Sequence, residues 1–189
     1  PYAVLNVTVT AIGGENSVSG SARFERDVLS LKPDLIFVDY ALNDRRKSME
    51  EVEASWRLMI GQAKKAGISV VLLTPTGDAA ADLSKPGDPL RERANLIRRL
   101  AKEEDVPLAD VSAAWLAEIG KGTPQDQLLS QSNHPNLRGH AVAAGAAEEV
   151  DPFESGEPDA KALDQAAHGR LPRAAWSPRG VEPLDDPLD

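Results

Sequence analysis

Lys32-Pro33-Asp34-Leu35-Ile36-Phe37-Val38-Asp39-Tyr40-Ala41-Leu42-Asn43-Asp44 is the stretch from which the rest of the chain can be read. Its four consecutive apolar residues, Leu35 to Val38, are too few for a buried helix and lack the polar alternation of a half-wet strand. A strand covered on both faces has this pattern, and strands of that kind belong to parallel sheets. Lys32-Pro33 stops the helical spacing that precedes it, because proline excludes the helical conformation for the residue before it. Asn43-Asp44 then follows the strand, where such a chain leaves the sheet.

Outward from this strand, helical and strand patterns alternate. Downstream, Ser48 followed by Glu51 forms a capping box. It opens a helix whose stripe is Val52, Trp56, Met59, Ile60 and Ala63, closed by Gly67. Ile68 to Leu73 is a second buried strand, broken at Thr74-Pro75, and a Gly-, Asp- and Pro-rich loop runs to about Pro89. Leu90, Ala94, Ile97 and Leu100 space a helix to Glu103, with arginines on its other face. Val106 to Val111 reads as a short strand, Ser112 as the cap of a helix carrying Trp115, Leu116 and Ile119, and Gly120 to Asn133 as loop. An alanine-rich helix runs from Leu137 to about Val150. Upstream, Val4 to Thr10 alternates branched and polar residues before Gly13-Gly14, as a strand ending in a tight loop does, and helical spacing from Ser21 runs through Phe24, Val28, Leu29 and Leu31. Right-handed crossovers between parallel strands place helices on both faces, so the expected fold is α/β, a three-layer α/β/α sandwich with a parallel sheet. One domain is expected over 1–150. From 151 to 189, where six of the 14 prolines lie among many acids, apolar residues are too few to offset ordering entropy. That segment reads as an irregular extension allowing one short helix, Asp159–His168.

Composition excludes several classes of function. A formal charge of −9 argues against a nucleic-acid partner, whose affinity comes largely from Lys and Arg displacing counterions. The absence of cysteine removes disulfides, thiolate catalysis and Cys-based metal sites, and leaves the redox compartment open. Three dispersed histidines make no metal site, and no cofactor motif is present, so neither a metal nor a cofactor is expected. No apolar run approaches the roughly 20 residues a membrane-spanning helix needs. The reading is a soluble chain of either a cytoplasmic or a secreted setting, since a leader ahead of Pro1 would leave no trace.

Ligands of open parallel sheets gather beyond the carboxyl ends of the strands. Three such places carry unusual residues: Gly13-Gly14-Glu15-Asn16-Ser17, Tyr40-Ala41-Leu42-Asn43-Asp44, and Asn133-His134-Pro135-Asn136. Each alone has an ordinary reading as a turn, an Asx turn or cap, and a surface histidine. Together and in this order they resemble the SGNH, or GDSL-like, hydrolase family, whose blocks supply Ser, Gly, Asn and His. Ala11 to Ser17 is similar to the second block, Lys32 to Asp44 to the third, and Asn133-His134-Pro135-Asn136-Leu137-Arg138-Gly139-His140 to the fifth. The likeness covers about residues 4 to 150. It implies that the Gly14 amide and the Asn43 side chain form an oxyanion hole and that His134 is the general base. Such donors suit the chemistry, because ester hydrolysis passes through a tetrahedral oxyanion that preorganised N–H groups stabilise.

The chain departs from the family in three respects. The family's first block, a strand ending in Gly-Asp-Ser, would precede Pro1, so the expected sheet lacks its first strand and the expected chain lacks its nucleophile; Ser17 is the weak local substitute. Gln131 stands where the family has an acid three residues before the histidine; it can hold the imidazole tautomer but offers it no charge. Ala41 replaces a glycine two residues before the asparagine. Asp44 reads as a loop-shaping residue and His140 as packing or capping. The implied function is a serine esterase for a small acyl ester, an acetylated sugar for example, present without its nucleophile segment and inactive alone. The alternative is a non-catalytic ligand- or partner-binding module, in which a partner chain or a swapped strand completes the sheet.

Overall fold

The structure, a computed structural model, describes residues 5–152. Val4 and, apart from its first two residues, the extension expected over 151–189 with its helix Asp159–His168 lie outside them.

Three parallel strands form the sheet: β1 (Leu35–Val38), β2 (Ser69–Leu73) and β3 (Leu108–Ala109), in that order. Leu35 is opposite Ser69 and Val38 opposite Leu72, while Leu72 and Leu73 are opposite Leu108 and Ala109. Helices α1 (Ser17–Asp27), α2 (Met49–Lys65), α3 (Pro89–Glu103), α4 (Val111–Gly120) and α5 (Leu137–Glu148) surround it. Because side chains alternate across a strand, Ile36, Val38, Val70 and Leu72 enter one core with Phe24 of α1, Trp56, Met59 and Ile60 of α2 and Ile97 and Leu100 of α3. Val71 and Ala109 face the other way, toward Ala143, Ala146 and Ala147 of α5. The chain is therefore an α/β sandwich of three layers. Burying each Ile, Leu or Val of these cores contributes about 1.5–3 kcal/mol.

The second layer of helices is uneven. α5 covers the β2–β3 side, and Phe37 of β1, on the same face, remains 53% exposed.

Five local expectations need correction. Leu5 to Thr10 form no strand, and Leu5, Val7 and Val9 are 85%, 77% and 81% exposed. Alternation suits a strand but does not supply one; the ladder needs a neighbour, and β1 pairs only with β2 among the described residues. α1 begins at Ser17 instead of Ser21, because the Asn16 side chain caps it by accepting from the Ser19 N–H. The strand read over Val106–Val111 contracts to two residues. Asp110, not Ser112, caps α4 by accepting from the Ala113 N–H, and the Ser112 hydroxyl instead donates to the Pro75 carbonyl at 2.6 Å. The Gly120–Asn133 loop contains a 3-10 turn, Gln125–Leu128, and then β4 (Leu129–Gln131), which pairs antiparallel with β5 (His134–Pro135).

Candidate active site

Gly14 lies in a turn closed by the Glu15 N–H on the Ile12 carbonyl, with a φ of 75°, a conformation that glycine adopts without steric cost. Arg23 of α1 anchors this turn through a partly buried ion pair with Glu15 and a bond to the Thr10 carbonyl at 2.9 Å. The Glu15 carboxylate beside it raises the Arg23 pKa, outweighing the opposing effect of burial. The Gly14 N–H has no acceptor among the described residues.

Asn43 opens a 3-10 turn, Asn43–Arg46, in the loop that follows β1. Its Nδ2 donates to the Glu15 carbonyl at 2.9 Å, joining the second-block and third-block loops. An amide nitrogen carries two hydrogens, so one remains after that bond. Asp44 is fully buried. Its carboxylate accepts from the Ser17 N–H at 2.7 Å and from Trp56 Nε1 at 3.0 Å, which is loop shaping over longer range than an Asx turn.

His134 begins β5 on the exposed side of the ribbon, directly opposite Gln131. No hydrogen bond joins the two side chains, and no described serine hydroxyl bonds the His134 imidazole. The motif around it has clear local causes. Asn136 caps α5 by accepting from the Gly139 N–H at 3.0 Å, and its Nδ2 donates to the Gln127 carbonyl at 2.8 Å. A Cβ on Gly139 would stand 2.2 Å from the Leu128 carbonyl and 2.9 Å from Trp115, so only glycine lets α5 approach the ribbon this closely. His140 is exposed on α5, which removes the packing role expected of it. Ser17 is wholly buried at the start of α1, and its hydroxyl has no partner, a placement that gives substrate no approach to it as a nucleophile.

The loop after β2 connects these parts. Asp78 is buried; it pairs with Arg45 of the Asn43 turn at 2.9 Å and accepts from the Ala80 N–H at 2.7 Å. Its carbonyl accepts from Gln125 Nε2, and the next residue, Ala79, donates its N–H to the Ser132 carbonyl in the turn between β4 and β5. A continuous series of bonds thus runs from the Gly14 turn through Asn43, Arg45 and Asp78 to the turn that precedes His134. Sequence reading missed Arg45 and Asp78. The only available signal was a charged residue in a Gly- and Pro-rich segment following a strand. Neither of two surface cavities contains Gly14, Asn43 or His134: one of about 250 Å³ borders Leu83, Arg91 and Arg98, and one of about 220 Å³ borders Lys64, Ile68 and Val106. No group of acidic or histidine side chains arranged to hold a metal occurs among the described residues.

The sequence model of the GDSL-like lipase/acylhydrolase family matches residues 2–142. The chain belongs to this family. A GDSL-like relationship also appears with the acetylxylan esterase of Geobacillus stearothermophilus, 23% identical over 158 residues, or 77% of this chain and 72% of that protein. The crystal structure of that organism's Axe2, an acetylxylan esterase, superposes with a TM-score of 0.63 at 23% identity, over 71% of this chain and 66% of that one. The acetyl xylan esterase AlAXEase superposes with a TM-score of 0.61 at 27% identity, over 72% of this chain and 77% of that one. The GDSL-like chain described here therefore spans about two thirds of the Axe2 structure it matches.

Proposed function

We propose that this chain provides the oxyanion-binding and general-base parts of a serine esterase site acting on acetyl esters of carbohydrate. The observation that carries the reading is the Asn43–Glu15 bond, which joins the two loops that the family uses for oxyanion donors. In the reaction, a serine oxygen attacks the acetyl carbonyl while His134 accepts its proton. The Gly14 N–H and the remaining Asn43 hydrogen stabilise the oxyanion, the sugar oxygen leaves with the proton from His134, and water then releases acetate. Variants of Axe2 described as catalytic mutants replace a serine, an aspartate and a histidine, the last two three residues apart. Gln131 and His134 have that spacing, which supports Gln131 as the uncharged counterpart of that aspartate, although no hydrogen bond joins its side chain to the imidazole here.

Acetylated xylooligosaccharide is the substrate class proposed, on the likeness to acetylxylan esterases. Calorimetric titration of the 189-residue chain with acetylated and deacetylated xylotriose tests it. The acetylated ligand is expected to bind about tenfold more tightly, a difference of about 1.4 kcal/mol, and Asn43→Ala to remove the preference. Equal affinities, indifferent to Asn43→Ala, would contradict the reading.

One observation favours the partner-binding alternative as a second reading: Leu5, Val7 and Val9 are exposed, and so is Phe37 of β1, a strand with one edge unpaired among the described residues. An apolar, strand-forming partner would bury them. Equal affinity for the two sugars together with concentration-dependent self-association would favour that role.

A further inference from the structure

The Gly14 turn and the Asn43 turn belong to different segments with no strand pairing between them, yet the proposed chemistry needs their donors held at a fixed separation. Asp44 is placed to do this. Its side chain is fully buried, and both carboxylate oxygens are engaged by groups on different elements: Oδ1 by the Ser17 N–H at 2.7 Å, and Oδ2 by Trp56 Nε1 at 3.0 Å. Ser17 is the first residue of α1, three residues after Gly14, and Trp56 lies in the buried stripe of α2. The backbone of Asp44 is fixed as well. Its N–H donates to the Tyr40 carbonyl at 3.1 Å, and its carbonyl accepts from the Lys47 N–H at 2.9 Å and from Arg93 Nη2 at 3.3 Å. Arg93, itself buried in α3, also donates to the Lys47 carbonyl at 2.6 Å. α1, α2 and α3 thus all hold the residue next to Asn43.

We propose that Asp44 is a positioning residue for the oxyanion pair: its carboxylate, by binding the Ser17 N–H, sets the Gly14 turn against Asn43. The inference rests on the assignment of Gly14 and Asn43 made under the proposed function. An anion suits this position, since it stands at the amino end of an eleven-residue helix and accepts from two N–H donors. It also orients the Asn43 amide indirectly. With the turns held in place, one Nδ2 hydrogen stays on the Glu15 carbonyl and the other is left for the substrate oxygen.

Asp44→Asn separates positioning from general support. The amide is the same size, but it presents an NH₂ to one of two donors whichever way it is turned. In the double variant Asp44→Asn/Trp56→Phe the second donor is gone, so the amide oxygen can take up the Ser17 N–H. Amide exchange and ¹⁵N–¹H spectra of the full chain read the result. Asp44→Asn is expected to lower protection at Ser17 about tenfold or more and to move the Asn43 side-chain and Gly14 resonances, while Val70 to Leu72 keep their protection. The double variant is expected to restore Ser17 protection and the Asn43 and Gly14 positions. Three results would overturn the proposal: unchanged Gly14 and Asn43 signals in Asp44→Asn, a uniform loss of protection that includes Val70 to Leu72, or failure of both variants to fold. None of these readouts involves sugar binding, so a failure of the esterase reading and a failure of this one are told apart.

Discussion

Two glycines show how differently one residue type can be required. Gly14 has a left-handed backbone, φ 75°, and open space where a Cβ would stand; Gly139 has no such backbone and no space at all. Gly14→Ala is therefore expected to cost about 1–2 kcal/mol, the price of that conformation for an L-residue. Gly139→Ala is expected to cost about 1–3 kcal/mol through overpacking against Leu128 and Trp115, and to disturb the ribbon carrying His134. Urea unfolding measures both. Spectra of the His134 ring should change in Gly139→Ala and not in Gly14→Ala; equal effects on the ring would contradict the packing argument. The sequence motif contained Gly139 and Asn136 but not the reason for them. That reason lies in contacts with Leu128, Trp115 and Gln127, which become neighbours only once the ribbon has folded back.

Elements governed by local chemistry were legible. The Ser48–Glu51 capping box appears as read, with both reciprocal bonds formed, and the apolar runs read at Leu35–Val38 and Ile68–Leu73 contain the paired strands Leu35–Val38 and Ser69–Leu73. Elements governed by a distant partner were not. Leu5 to Thr10 carry a strand pattern without a strand's neighbour, and Asp110 displaced Ser112 as the α4 cap because Thr74 and Arg98 hold its carboxylate in place. Burial raises the pKa of Asp110, but the bonds from Arg98, Thr74 and the Ala113 N–H outweigh it and bring it below the ordinary value of 3.8. A carboxyl with a lowered folded-state pKa stabilises the fold above its unfolded value, and that contribution is lost as pH falls through the folded value. Stability measured by urea unfolding should therefore decline below pH 3.8 in the parent chain, and the decline should be smaller in Asp110→Asn. An identical acid limb in the two proteins would show that Asp110 makes no such contribution.

For the whole molecule, the proposed site depends on three separated blocks acting together. The blocks themselves could be read from Gly14, Asn43 and His134, but the loop after β2 that connects them could not. Gly-, Asp- and Pro-rich composition reports a turn and is silent about what the turn touches. In the structure, Asp78 and Ala79 link the Asn43 turn to the turn before His134, while the exposed side of β1 and the Leu5–Thr10 segment leave apolar surface on the same molecule. The most direct test is a ¹⁵N–¹H titration of the chain with acetylated xylotriose, following backbone and ring signals together. Resonances of Gly14, Asn43 and His134 should shift along one binding curve with a single dissociation constant. Shifts at Gly14 and Asn43 that leave His134 unmoved, or that saturate at a different concentration from it, would contradict the account.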